Sequence, residues 1–339
     1  MDLVAEQLDS GLSGLDDVEA KLLRPRLRTV RKRTPPSGVE RALGRFLQLP
    51  IELAPKRFEA DYFHIADHSY AHLALLFPSQ RVGVYCHDID AFRALLPGST
   101  HSRSRRLLAA VLLRGLRHAH VVFHSTRAVR AEILRHGLVP EQRLVQAPYG
   151  LAEEFLCAPT TEVGARPYVL HVGSTIPRKN IPLLLEVFAA ARVVRPDLHL
   201  VQVGGTWSEA HRADIARRGL APYIEQKRGI SRSELAAVYA GAAVVLVPSL
   251  AEGFGLPIIE SLACGAPVIA SDIPVLREVG VDGVRFCPLE RPESWVRAID
   301  ELVSSATRVS VETRAAIRAR YSWQAHATTI WQAYARARS

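Results

Sequence analysis

Y-V-L-H-V-G-S-T-I-P-R-K-N-I-P-L-L-L-E-V-F-A-A-A, residues 168–191, passes from a β-branched run through a glycine turn into a helical apolar pattern. Such a run bounded by Gly and Pro reads as a buried strand followed by a helix. The theme recurs downstream. L-H-L-V-Q-V (198–203), A-V-V-L-V-P (243–248) and P-V-I-A (267–270) each precede or follow a helical pattern. Strands alternating with helices mean a parallel sheet covered on both faces. Upstream, Tyr62–Ile65, Val82–Cys86, Val121–His124 and Leu144–Gln146 are candidate strands of a second, more ragged set. The chain of 339 residues exceeds what one core usually supports. Two Rossmann-like domains hinged near 148–167 are therefore expected.

Composition excludes several classes. Apolar residues make up 48% and charged residues 23%, the balance of a globular protein. No apolar run nears the roughly 18 residues that span a bilayer, and no secretory leader is read at the start, so a cytoplasmic chain is expected. Cys86, Cys157, Cys264 and Cys287 lie far apart without C-x-x-C spacing, which suggests neither zinc nor a disulfide framework. Neither a G-x-G-x-x-G after a strand nor a Walker lysine motif is present, so nicotinamide, flavin and P-loop chemistry lose their main support. The formal net charge is +9. From Lys21 to Arg57 eleven basic residues face two acidic ones, Glu40 and Glu52, as a solvated face or as an anion-attracting one. Little aromatic interleaving there argues against nucleic acid.

In open parallel sheets ligands bind beyond the carboxyl ends of strands, at loops that meet helix N-termini. Two turns fit. After Gly173, Arg178 and Lys179 stand at a helix start with Asn180 as cap and Pro182 in the first turn. Two cations there repel unless an anion joins them, and a diphosphate is the natural occupant. The second turn lies in S-L-A-E-G-F-G-L-P-I-I-E-S-L-A-C-G (249–265). Gly253 and Gly255 allow the backbone close to a ligand. Glu252 and Glu260 flank the turn, and Glu260 can accept from both hydroxyls of a ribose.

E-G-F-G-L-P-I-I-E, together with G-S-T-I-P-R-K-N (173–180), V-G-G (203–205), G-I-S-R-S-E-L-A-A-V-Y-A (229–240) and S-D-I-P-V-L-R-E-V (271–279), resembles the retaining glycosyltransferases of family four, glycosyl transferases group 1. The resemblance runs from about Tyr62 to the C-terminus and implies the GT-B fold, two Rossmann-like domains with a cleft between them. It implies an acceptor-side domain over 1–155, a nucleotide-sugar domain over 165–320, and a closing helix over 321–339 that packs back on the first domain. It also implies an enzyme that moves a mannose-, glucose- or rhamnose-type hexosyl group from a GDP-, UDP- or dTDP-linked sugar to a glycan, lipid-linked or small-molecule acceptor. Retention, and no metal or cofactor, go with it.

By position, Lys179 and Arg178 would bind the diphosphate, with Gly173, Ser174 and Gly204 lining the same place. Glu260 would bind the ribose, and Gly253 and the amides of Phe254, Gly255 and Leu256 the phosphate and sugar. Glu252 would orient the transferred sugar, and the turn at Gly229 and Ile230 would meet the base. V-Y-C-H-D-I-D (84–90) suggests His87 beside the reacting sugar, with Asp88 either on the acceptor or capping a helix.

The start of the chain departs from the pattern. Residues 1–12 look like the family's first helix and Val18–Leu22 like its next strand, which would leave the first strand and its glycine loop missing; S-G-V-E-R (37–41) is the competing candidate for that loop. A non-catalytic nucleotide-binding protein and a sugar-nucleotide epimerase on the same fold are the rival functions. R-S-R-R-L-L-A-A-V-L-L-R-G-L-R-H (103–118) is a basic amphipathic pattern, suited to an anionic membrane on its inner face or to packing on the sheet.

Overall fold

The structure is a computed structural model that describes residues 2–16, 18–23, 43–157 and 166–336. It divides into two units, Met1–Pro148 with Trp323–Ser339, and Tyr149–Ser322. Both are open, wholly parallel sheets flanked by helices, the α/β architecture expected from the strand–helix alternation.

The first unit has four strands in sequential order: β1 (Phe63–Ile65), β2 (Val82–Cys86), β3 (Val121–His124) and β4 (Leu144–Gln146). All residues of β2 and β3 are buried. These two strands carry continuous Val/Phe/Tyr runs because both of their faces are covered. An N-terminal helix, Asp2–Ser13, packs against the helix Trp323–Arg336. Val18–Leu22 forms no strand, against the sequence expectation. Its side chains alternate between half-buried and exposed, as in a strand, but among the described residues no neighbouring strand takes up its backbone groups. S-G-V-E-R (37–41), and with it much of the basic stretch from Lys21 to Arg57, lies outside the described residues.

The second unit has six strands: β5 (Tyr168–Gly173), β6 (His199–Gly204), β7 (Ile224–Lys227), β8 (Val244–Val247), β9 (Val268–Ser271) and β10 (Val284–Cys287). Their spatial order is β10-β9-β8-β5-β6-β7. Counted within the unit this is 3-2-1-4-5-6, in which the winding reverses between β5 and β8. The apolar helix Ile181–Val194 and the helix Pro292–Ser304 close one face over Leu184, Phe188, Leu246, Trp295 and Ile299. Each such side chain contributes about 1.5–3 kcal/mol on burial. The reversal point fixes where a ligand can sit: a crevice opens at the carboxyl ends of the two strands from which the chain departs in opposite directions. The loops after β5 and β8 end there, and they carry the two motifs.

Candidate donor-binding site

β5 ends at Gly173, whose φ of 152° few side chains adopt; a Cβ there would sit 3.3 Å from Lys179 Cε. The lysine stem thus lies over the turn. Gly204, at the end of β6, has φ 119°, and a Cβ on it would stand 2.6 Å from the Gly173 carbonyl oxygen. That carbonyl accepts from the Gly205 amide at 3.0 Å and from Gln202 Nε2 at 3.0 Å. The glycines permit two strand ends to touch, and the hydrogen bonds hold them so. Gly204→Ala therefore combines an unfavourable φ with a backbone clash, and we expect it to cost about 1–3 kcal/mol. Thermal melts of the variant check this, with Gly219→Ala, also at positive φ but in open space, as the milder comparison.

After Gly173, Ser174 is exposed, and Pro177–Lys179 make one tight turn. Asn180 follows in the left-handed region at φ 51° and starts the helix Ile181–Val194, with Pro182 in its first turn. Asn180 occupies the cap position, but its side chain makes no capping hydrogen bond. The two cations diverge in exposure: Lys179 is buried, whereas the Arg178 side chain remains a third exposed.

Glu252 arrives from the loop after β8. Its side chain is only 6% exposed. Lys179 Nζ donates to Oε1 at 2.5 Å, Arg178 Nη1 donates to Oε2 at 3.2 Å, and Ser249 Oγ donates to Oε1 at 2.6 Å. The loops are also tied through the backbone, since the Leu250 amide donates to the Arg178 carbonyl at 2.8 Å. One carboxylate therefore pairs with both cations and leaves the trio a net positive charge, and the partner that relieves their repulsion comes from the protein itself. Sequence reasoning placed Glu252 on the sugar and did not foresee this triad, in which the carboxylate stands more than seventy positions from the two cations.

Beyond Glu252, Gly253 leads to Phe254, buried and packed edge-on against Tyr149 and Tyr321 at centroid distances of 5.1 and 5.6 Å. That ring anchors the loop. Gly255, at φ 102°, caps the helix Leu256–Ala263, which no side chain caps. Pro257 has no amide hydrogen and the Ile258 amide donates to the Gly255 carbonyl at 2.9 Å, which leaves the Leu256 amide at the helix start for a ligand or water.

Glu260 is buried in that helix and accepts from the Tyr239 hydroxyl at 2.8 Å. Burial pushes its carboxyl up to about 7 from the ordinary 4.5, against the opposing pull of Tyr239 and Lys179. The native state therefore holds a proton that the unfolded chain has released between those values. Stability falls as pH rises through that window, by up to about 1.4 kcal/mol per pH unit. Glu260→Gln should abolish this slope between pH 5 and 7 in denaturant titrations. Tyr239, Ser249 and Gln202 are site residues that the motif reading passed over; Tyr239 did lie in the quoted G-I-S-R-S-E-L-A-A-V-Y-A. At the end of β7, Gly229 (φ 65°) and half-buried Ile230 turn the chain into the helix Arg232–Gly241, which Ser231 and Glu234 cap reciprocally.

His87 and Asp88 belong to the first unit and follow β2. His87 Nε2 lies 2.8 Å from the Ala66 carbonyl, and its backbone amide donates to His68 Nδ1 at 3.2 Å. Burial, then the neighbouring His68, lowers its imidazole to about 4, so it is neutral near pH 7. Asp88 Oδ1 accepts from the Asp90 amide at 2.9 Å, which starts the short turn Asp90–Leu95, and His68 Nε2 stands 3.5 Å away. The cap position of that turn is Ile89, and no side chain caps it, so the Asp88 bond is a local turn of its own loop. Asp67, His68 and His87 bring one potential ligand atom each within 4.8 Å of the others. His68 Nδ1 is however occupied by the His87 amide, and Asp67 Oδ1 accepts from the Ser69 amide at 2.7 Å, so the cluster is an internally bonded network.

Comparison with known proteins shows what the chain is similar to. Residues 154–320 match the family model of glycosyl transferases group 1. The chain is 27% identical over 264 residues to O-antigen chain mannosyltransferase B of Escherichia coli, covering 73% of this chain and 68% of that one. It is 32% identical over 189 residues to the D-inositol 3-phosphate glycosyltransferase of Segniliparus rotundus, covering 52% of this chain but only 42% of the relative. Among solved structures, sucrose-phosphate synthase from Thermosynechococcus elongatus aligns with a TM-score of 0.76 at 20% identity, over 99% of this chain and 92% of that one. Anabaena HepE, solved with UDP and glucose, aligns with a TM-score of 0.70 at 18% identity, over 86% and 82%. Residues 154–320 thus resemble the glycosyl transferases group 1 family, within a chain that shares the two-sheet α/β fold of its GT-B neighbours.

Proposed function

We propose that the chain is a retaining, metal-independent glycosyltransferase that moves a hexosyl group from a nucleotide diphosphate sugar to a glycan, lipid-linked or small-molecule acceptor. The observation that carries it is the pairing of Lys179 and Arg178 with Glu252 at the reversal point of the second sheet, beside the buried Glu260 carboxyl. A phosphate-bearing ligand entering there meets two cations and the Leu256 amide at the start of the helix Leu256–Ala263. The ribose falls to Glu260, and the base to the backbone at Gly229 and Ile230.

Charge that develops on the departing diphosphate would be stabilised by groups already in place, which is the chief catalytic contribution open to such a site. Lys179, Arg178 and the helix dipole supply that positive charge. Glu252, on giving up its cations to the diphosphate, is left beside the sugar and can accept from its hydroxyls. The acceptor oxygen attacks from the face that the leaving group vacates, so the anomeric configuration is kept. Mannose-, glucose- and rhamnose-type sugars on GDP, UDP or dTDP are the donor candidates; the mannosyltransferase relative and the UDP- and glucose-bound neighbour are in keeping with that range. No helix among the described residues is long and apolar enough to cross a membrane. A cytoplasmic enzyme seated peripherally on the inner membrane face fits a lipid-linked acceptor.

Incubation with nucleotide sugars, with and without an acceptor panel and with a chelator present, tests this. Transfer that survives chelation, with a product of unchanged anomeric configuration by NMR, is expected. Conversion of donor alone would make the protein an epimerase, and binding without turnover a nucleotide-binding relative.

A further inference from the structure

The helix Arg103–His118 lies on the first unit with Ala109, Leu112, Gly115 and Leu116 inward. The approach is close: a Cβ on Gly115 would stand 2.0 Å from the Ala71 carbonyl oxygen. Packing thus accounts for one face and leaves the opposite one to be explained. At helical spacing that outer face presents Arg103, Leu107, Ala110, Val111 and Arg114. Leu107 is 68% exposed and Val111 37%. A basic helix exposing a Leu/Val stripe on its solvent side breaks the usual amphipathic rule.

Three further observations point the same way. Between Asp90 and Glu132 the sequence holds no acidic residue but eight arginines. Beside the helix runs a groove of about 490 Å³ whose lining includes Leu75, Leu95, Leu113, Arg114 and Arg117, apolar within and cationic at the rim. The neighbouring segment 43–58, which packs on the same His68–Leu76 stretch, repeats the feature: Leu43, Leu47 and Ile51 recur every fourth residue and all are exposed, Ile51 at 72%.

We propose that this face of the first unit docks on an anionic phospholipid surface. Leu107 and Val111 enter the headgroup boundary, the arginines meet lipid phosphates, and the groove takes part of one acyl chain beneath a phosphate held by Arg114. The cationic charge of a helix without acidic residues selects an anionic partner, and exposed aliphatic side chains select one with an apolar interior. Nucleic acid would use the charge but leave the leucines in water, and the helix has no aromatic side chain on which bases could stack. The inference deepens the membrane-associated part of the function proposed above and rests on it for the purpose of docking.

Co-sedimentation with vesicles tests it. The full chain is expected to sediment with vesicles of phosphatidylglycerol and phosphatidylcholine in equal parts and not with phosphatidylcholine alone, with binding that weakens as salt rises. Leu107→Asp and Arg114→Glu should each reduce bound protein by about tenfold. Both variants should melt with the same nucleotide-sugar stabilisation as the parent, which separates a failure of docking from a failure of the donor site. Equal binding to neutral vesicles, or unchanged binding by both variants, would overturn the proposal. So would concentration-dependent dimerisation that Leu107→Asp abolishes in a protein that ignores vesicles, since the stripe would then belong to a second copy of the chain.

Discussion

Replacement of Lys179 by alanine is expected to weaken nucleotide-sugar binding by on the order of 10- to 100-fold, because each charge-assisted hydrogen bond to a phosphate is worth about 1.5–3 kcal/mol. The same substitution should also destabilise the ligand-free protein by about 3 kcal/mol. Glu252 is only 6% exposed and would keep Arg178, a third exposed, as its sole cation. Removing one partner of a buried pair leaves a charge that water cannot reach. Two readouts therefore move together: the melting temperature without ligand falls, and the shift on adding nucleotide sugar shrinks. Lys179→Arg should restore part of the first and less of the second, because a planar fork does not reproduce the reach of a compact ammonium over Gly173. A variant that loses stability yet binds as tightly as the parent would assign Lys179 to architecture alone.

Glu252→Gln separates the two roles that the geometry gives this carboxylate. In the absence of donor it pairs with Lys179 and Arg178, so it competes with an incoming diphosphate for both. Its removal should tighten binding of a plain nucleoside diphosphate by roughly fivefold, about 1 kcal/mol, as two cations become available to the ligand. Transfer should fall in the same variant by about 100-fold or more, since a misplaced sugar loses the near-attack geometry. Calorimetry with the nucleoside diphosphate and initial rates with the full donor check the two halves. Opposite signs in binding and turnover are the signature of a residue that yields its resting partners when substrate arrives. Parallel losses in both would mean that Glu252 serves only to hold the loops together.

Much of this site can be read in the chain itself because its parts are local. The turn at Gly173, the cations at 178 and 179, and the glycine loop that ends in the Leu256–Ala263 helix each lie within about ten residues, and local backbone chemistry dictates their form. The parallel β/α alternation likewise follows from apolar runs that need cover on both faces. What joins the motifs is not local. Lys179 meets Glu252 only because β5 and β8 are neighbours in the sheet, a consequence of strand order. Tyr239 reaches Glu260 across two helices, and no spacing rule announces such a contact. The misplaced strand at Val18–Leu22 has the opposite cause: its alternation was real, but a strand needs a partner, and pattern alone does not supply one. Asn180 shows a subtler limit, since its left-handed backbone starts the helix without the side-chain bond that usually defines a cap.

The most direct test of the central claim is calorimetric titration of the protein with GDP-, UDP- and dTDP-linked sugars, alongside Lys179→Ala and Glu260→Ala. The account predicts that at least one nucleotide sugar binds with a single site, and that both substitutions weaken it. Absence of binding by every nucleotide sugar, or equal binding by parent and both variants, would contradict the placement of the donor at the ends of β5 and β8.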